Sequence, residues 1–170
     1  TATDIDNDCG VVKRPTRDNF WEWLRASLAL PVGYNKVIQL DGKRFIDGGI
    51  AIPCPFDVPE LNNHEGPTVV VLTRPMRTRK PPPVLWERIA VRLIVPPEAR
   101  KICLTQHHHH NHTMDRLGAA VAEKKVILID PPEDLPLARL TKDPVKIRKG
   151  VEMGIEIGKR FAEKMRNAAK

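Results

Sequence analysis

The sequence predicts an α/β layered fold, and three features predict it. Residues 68–73 (Thr-Val-Val-Val-Leu-Thr) and residues 125–130, with their Val-Ile-Leu-Ile run, are short uninterrupted β-rich stretches of the kind found in strands covered on both faces. Around them lie segments with apolar residues at helical spacing, the clearest over residues 144–165. Strand and helix patterns therefore alternate along the chain, as layered α/β proteins require. At 170 residues, 41% of them hydrophobic, the chain suits one domain or part of a larger one, can bury a real core, and is not globally disordered. No apolar run in it approaches the roughly 20 residues of a membrane span.

In chain order, residues 1–6 read as the end of a strand, with Gly10 breaking the chain after it. Asp18 and Asn19 are caps for a helix through Phe20, Trp21, Trp23, Leu24 and Leu28, which Pro31 ends. Trp21 and Trp23, two apart, cannot share a helix face, so one belongs to the core and the other faces outward. Residues 36–40 and 44–46 flank Asp41-Gly42, a hairpin signal because Gly tolerates the positive φ of a tight turn. Pro53, Pro55 and Pro59 punctuate the next stretch, with a short helix expected near Asp57. After the strand at 68–73, residues 77–83 form a basic, proline-rich loop within the unit, and residues 84–95 a helix ended by Pro96-Pro97. Residues 98–123 read as one long helix with Ile102, Cys103, His110, Met114, Leu117 and Val121 on one face, although Gly118 weakens it. Pro131-Pro132 closes the second strand. The last helix has Asp143 as its cap and Pro144 at its first position. Its stripe is Ile147, Val151, Gly154, Ile155, Gly158, Phe161, Ala162 and Met165, and the two glycines four apart predict a close backbone approach. The charged opposite face excludes a membrane dimer motif.

The formal net charge of +7 favours anionic partners, although the basic residues are spread along the chain apart from Arg74, Arg77, Arg79 and Lys80. That cluster suits either the headgroups of an anionic membrane surface or plain solvation. The charge alone has no nucleic-acid motif or stacking platform beside it, so no nucleic acid is expected as a partner. Cys9, Cys54 and Cys103 are odd in number and contain no CxxC, which points to buried free thiols and a reducing compartment, the cytoplasm first. His107, His108, His109, His110 and His112 offer i,i+3 and i,i+4 pairs that can chelate zinc, nickel or copper, with Asp115 within reach. There is no H-E-x-x-H, so a metalloprotease is excluded, and the cluster reads as a polar helix face with no resident metal. The chain starts at Thr1 rather than Met, which leaves room for an N-terminal part outside it, and Ser27 is its only serine.

Asp47 is the first candidate for chemistry. A carboxylate at a strand end, followed by Gly48 and Gly49, can be aimed into a cleft to orient or deprotonate a hydroxyl. Asp-Gly-Gly is also ordinary turn punctuation, and spacing alone leaves both readings open.

Several segments together resemble a family. Ala26-Ser27-Leu28-Ala29-Leu30-Pro31 is similar to an A-S-x-A-x-P segment, and the run from Asp41-Gly42 to Asp47-Gly48-Gly49 to a D-G-x-x-x-x-D-G-G hairpin. Ile52-Pro53-Cys54-Pro55 resembles the proline-rich helix entry that follows, and Thr1-Ala2-Thr3-Asp4 a preceding strand. These are features of patatin-like phospholipase domains. Residues 68–75 and 79–81 resemble the V-V-L-T-R-P…K-P segment of the bacterial branch, and residues 127–136, 140–144 and 150–158 that branch's C-terminal extension. The likeness is most specific over residues 26–55 and loosest over residues 84–124.

The resemblance implies the C-terminal portion of a layered patatin-like, lysophospholipase-like fold, with residues 1–75 ending the catalytic core and residues 76–170 as the extension. It implies a serine–aspartate dyad hydrolase of lipid acyl esters that uses no cofactor. Asp47 would be the dyad base, with Gly48 and Gly49 shaping its turn. The family's nucleophile sits in G-x-S-x-G, behind a glycine-rich oxyanion loop, and neither is present in this sequence. Ser27 lacks the flanking glycines of that elbow and reads as a small polar residue at a helix end. The chain alone is therefore expected to be inactive. The competing reading is a non-catalytic domain on the same scaffold that binds a partner through its basic surface.

Overall fold

The computed structural model describes residues 1–31, 33–34, 36–59, 66–138 and 140–168. It is mixed α/β and divides into two compact units, Thr1–Gly66 with Arg79–Ala119, and Pro67–Thr78 with Ala120–Lys170. The chain passes between them at residues 66–67, at residues 78–79 within the proline-rich loop, and at residues 119–120 inside the 23-residue helix Arg100–Ala122.

The first unit is built on an antiparallel four-stranded sheet of order β2-β1-β4-β3. Its strands are β1 (Ala2–Asp4), β2 (Cys9–Val11), β3 (Ile38–Leu40) and β4 (Lys43–Asp47). The expected hairpin joins β3 to β4, with Asp41 at φ 51° and Gly42 at φ 73°, the paired positive angles of a tight two-residue turn. Gly10 does not break the chain. It sits in β2 opposite Thr3, where an added Cβ would lie 2.2 Å from Ile52 Cγ1.

Phe45 and Ile46 are neighbours on β4 and so face opposite sides of the sheet. Phe45 joins Ala2, Trp23, Ala26, Ala29 and Ile38 in one cluster, against α1 (Phe20–Ser27). Ile46 joins Ile5, Ile50, Val95, Ala99 and Ile102 in the other, beneath α2 (Leu85–Ile94) and the start of α3 (Arg100–Ala122). The sheet is thus covered on both faces, and each large side chain so buried contributes about 1.5–3 kcal/mol. Trp23 is the inward tryptophan, its ring 5.1 Å from that of Phe45, and Trp21 is the outward one, 71% exposed. α1 ends at Ser27, before Pro31. A short 3₁₀ turn, Pro97–Ala99, precedes α3 in place of a single helix from residue 98. Ile102, Met114 and Leu117 are the buried residues of α3, and the helix runs through Gly118 unbroken. Residues 56–59 are not helical, and the remainder of the helix expected near Asp57 lies outside the described residues.

Ion pairs hold this unit's edges. The Arg44 guanidinium bonds Asp6 Oδ1 at 2.6 and 2.8 Å and Glu98 Oε1 at 2.8 Å, tying the hairpin to the β1–β2 turn and to the 3₁₀ turn. Lys101 pairs with Asp8, and Arg116 with Asp57.

The second unit pairs β5 (Thr68–Val71) in parallel with β6 (Val126–Ile129) and carries α4 (Pro144–Ala168). Two expectations fail here. β5 is not covered on both faces: Val70 is buried, but Val69 and Val71 on the other face are 42% and 65% exposed. Nor does α4 make a close approach at Gly154 and Gly158, where an added Cβ would meet nothing within 4 Å. The tight glycine is Gly150, whose Cβ would lie 2.4 Å from Leu137 Cδ1. The half-buried face of α4 is Gly150, Met153, Ile157, Phe161 and Met165, while Ile147, Val151 and Ile155 of the expected stripe are exposed. The N-terminus is as expected, with Asp143 Oδ1 accepting from Val145 N at 2.9 Å and Lys146 N at 3.4 Å.

Candidate active site

Asp47 is the last residue of β4 and pairs with Ala2 of β1. Its N–H donates to the Ala29 carbonyl at 3.0 Å, which fixes the strand end against the segment leaving α1. Its Oδ1 accepts from the Gly49 N–H at 2.8 Å and so caps the 3₁₀ turn Gly48–Ile50. Among the described residues no second hydrogen bond or ion pair engages this half-buried carboxylate, so one oxygen is committed to the turn and the other is open to a reacting group.

The turn is clamped from β1. Thr3 is fully buried; its hydroxyl donates to the Asp47 carbonyl at 2.8 Å and accepts from the Ala51 N–H at 3.2 Å. One side chain thus staples both ends of the turn. The local sequence gave no sign of this role, because it arises from the β1–β4 register; the available signal was a hydroxyl at a core-facing strand position. Gly48 is needed for space rather than for φ: an added Cβ would lie 2.4 Å from both the carbonyl oxygen and the hydroxyl of Thr1. At Gly49 the added Cβ would lie 3.1 Å from Asp47 Oδ1. The glycines with positive φ among the described residues are Gly42 and Gly66.

Beside Thr1 lies a hollow of about 150 Å³ whose lining includes Thr1, Lys13, Pro15, Phe20, Trp23 and Ser27. Its walls are mostly apolar. Ser27 ends α1 and is half-buried, and among the described residues no hydrogen bond joins it to Asp47.

Asp4, next along β1, is buried and structural. Burial alone would raise its carboxyl pKa, but the Asn7 side chain at 2.8 Å, the N–H groups of Asn7 and Asp6, and Lys43 outweigh that and hold it below the ordinary range.

The remaining candidates lie elsewhere. His108, His109 and His112 line an open groove of about 580 Å³ on α3, together with Asn111, Asp115 and Arg116. Burial lowers the His109 pKa, His108 and His112 lower it further, and Asp8 opposes them. Among the described residues no three His, Cys, Asp or Glu side chains are grouped to hold a metal ion. Asp115 is engaged by Arg79 at 2.7 Å. Lys80 is docked to α3 by its backbone, its N–H on Asn111 Oδ1 at 2.9 Å and its carbonyl on Asn111 Nδ2 at 3.0 Å. Arg77 pairs with Glu133 at 3.4 Å. Arg77 and Arg79 of the basic cluster therefore face acidic partners distant in sequence, and Lys80 is held by its backbone. The thiols are not uniformly buried: Cys9 on β2 is exposed, and only Cys54 and Cys103 are half-buried. Burial raises the pKa of both, that of Cys103 to about 11.

Two family models match the chain. Residues 9–59 match the model described as patatin-like phospholipase, and residues 97–170 match a domain of unknown function, DUF6363. No curated protein and no solved structure matches. The first match spans α1, the Asp41-Gly42 hairpin and the Asp47 turn, so support for a lipid-hydrolase type of family falls on the segment that presents the carboxylate.

Proposed function

We propose that this chain is the C-terminal portion of a bacterial-type patatin-like phospholipase with the layered patatin fold, and that it supplies Asp47 as the base of a serine–aspartate dyad. Residues 1–75 would end the catalytic core and residues 76–170 form the extension; the matches at residues 9–59 and 97–170 support that division. The observation that carries the reading is the Asp47 carboxylate, with one oxygen held by the Gly49 N–H and the other unengaged among the described residues, inside the patatin-like match.

In the proposed reaction Asp47 takes the proton of the serine hydroxyl as its oxygen bonds to the ester carbonyl carbon. The proton passes to the departing alkoxide. Asp47 then takes a proton from water as hydroxide attacks the acyl-enzyme, and serine leaves with that proton. Gly48 and Gly49 keep the turn compact, and Thr3 positions it. The apolar hollow beside Thr1 suits the hydrocarbon of an acyl ester, and no cofactor enters the chemistry.

Two measurements test this. The 170-residue chain should not be labelled by a fluorophosphonate serine-hydrolase probe, since it holds no G-x-S-x-G elbow; labelling of Ser27 would refute the assignment. A chain extended upstream to include a G-x-S-x-G segment should hydrolyse p-nitrophenyl acyl esters. In it Asp47→Asn should lower kcat by about 10²–10⁴-fold, with Ser27→Ala close to the parent. Full activity of the Asp47 variant would refute its role as base.

A further inference from the structure

α2 has an apolar face that the protein leaves bare. Its inward side includes Val91, which packs on the Ile46–Ile102 cluster, and Val95 just beyond its end is buried there. On the outward side Leu85, Trp86, Ile89 and Leu93 are 74%, 68%, 51% and 79% exposed. At helical spacing these four fall within an arc of about 100°, with Arg88 and Arg92 along one edge of it.

The charges that α2 itself places beside this face are of one sign. The helix has a single acidic residue, Glu87, which lies on the other side, where its carboxylate accepts from the Val84 N–H at 2.9 Å. The outward face therefore shows four large apolar side chains and two guanidiniums, with no carboxylate among them. A second copy docked antiparallel through the same face would bring Arg88 and Arg92 onto the same edge as their own equivalents, a like-charge contact that opposes that two-fold pair. An anionic lipid surface meets the arginines with the opposite charge. Leu, Ile and Trp enter the boundary between headgroup and acyl chain while arginine meets phosphate. Ten residues are too few to span a bilayer, so the helix would lie in the plane of the interface. The net charge of +7 favours the same partner.

We propose that α2 is an interfacial helix that docks this chain onto an anionic membrane surface. The proposal gives the acyl-ester reading a route to its substrate, but its test reads binding alone, so failure of either leaves the other standing. The chain is mixed with vesicles of phosphatidylcholine, with and without phosphatidylserine, and binding is read by co-sedimentation and by quenching of Trp86 with brominated acyl chains. Binding should require phosphatidylserine and weaken with salt. The Leu85→Ser/Leu93→Ser variant should bind about tenfold or more weakly, Arg88→Glu/Arg92→Glu should lose the preference for phosphatidylserine, and Trp86→Phe should remove the quenching. All these side chains are exposed, so the circular dichroism should be unchanged. Absence of vesicle binding, or equal binding by the serine variant, would overturn the proposal. So would concentration-dependent self-association that the serine variant abolishes while vesicles remain unbound.

Discussion

Replacing Gly48 by Ala tests the clamp on the Asp47 turn directly. The added methyl would lie 2.4 Å from the Thr1 carbonyl oxygen and hydroxyl and 2.5 Å from the Thr1 carbonyl carbon. Ordinary contact is about 3.5–4 Å, so the groups must separate by roughly 1 Å. Two of the three obstructing atoms are backbone, and they cannot swing aside as a side-chain tip would. β1 must withdraw from β4, and Thr3 moves with it, loosening the 2.8 Å bond to the Asp47 carbonyl and the 3.2 Å bond from the Ala51 N–H. Overpacking costs about 1–3 kcal/mol and the two weakened hydrogen bonds together about 1 kcal/mol, which puts the loss near 2–4 kcal/mol. Gly49→Ala is the control. Its methyl meets only Asp47 Oδ1, at 3.1 Å, and a side-chain oxygen can shift by a few tenths of an ångström, so the cost should stay below about 1 kcal/mol. Urea unfolding followed by tryptophan fluorescence is the assay, since Trp23 packs at a tilt against Phe45 in the cluster beside the turn. With m of about 1–3 kcal/mol/M, the Gly48→Ala midpoint should fall by roughly 1–2 M. A Gly48→Ala midpoint equal to that of the parent, or a Gly49→Ala loss as large as that of Gly48→Ala, would refute the argument from close approach.

Two further outcomes follow from the same structure. Gly154→Ala and Gly158→Ala should each stabilise α4 by up to about 1 kcal/mol, because the methyl meets nothing and the helix loses a flexible residue; a lower melting temperature for the double variant would restore a packed glycine stripe. Asp4 makes acid stability steep. Its folded pKa lies below the unfolded value of about 3.9, so its contribution is complete above that value and is lost as pH falls through the folded pKa. Asp4→Asn should flatten the acid limb of the stability curve, and identical pH dependence in the two proteins would count against the assignment.

What the sequence revealed depended on how local the cause was. The Asp41-Gly42 hairpin was legible because two adjacent residues determine it through their positive φ angles. The α4 N-terminus was legible for the same reason, with Asp143 bonding residues two and three positions on. The opposed roles of Trp21 and Trp23 followed from helical spacing alone. Non-local causes stayed hidden. Gly10 looked like a chain break because its constraint, Ile52, is 42 residues away. The covering of Val69 and Val71 was inferred from their own apolarity, yet burial depends on what stands opposite, and in this structure that face of β5 is open. The Gly154 and Gly158 spacing likewise permitted a close approach without supplying a partner. Cys9 was expected inside with the other thiols, and the edge position of β2 exposes it.

The candidate site follows the same division. Asp47 could be singled out because its neighbours in sequence, Gly48 and Gly49, mark a turn at a strand end. What holds it could not, because the holding groups come from three separated places: the Ala29 carbonyl after α1, Thr3 in β1, and the Thr1 backbone against Gly48. None of the three is an ionisable side chain. A carboxylate oriented by arginine or histidine loses its orientation when salt screens the pair or pH removes the charge. Among the described residues Asp47 is oriented by backbone groups and one hydroxyl, so its position should depend little on salt. That property suits a base which must accept a proton, release it and accept another within one turnover without moving. It also places the sensitive point of the site on Thr3 rather than on a charged neighbour. Thr3→Val keeps the shape of a fully buried side chain but removes the donor to the Asp47 carbonyl and leaves the Ala51 N–H with only its bond to the Gly48 carbonyl. The turn would then be free to open, with the sequence of the Asp47 loop untouched.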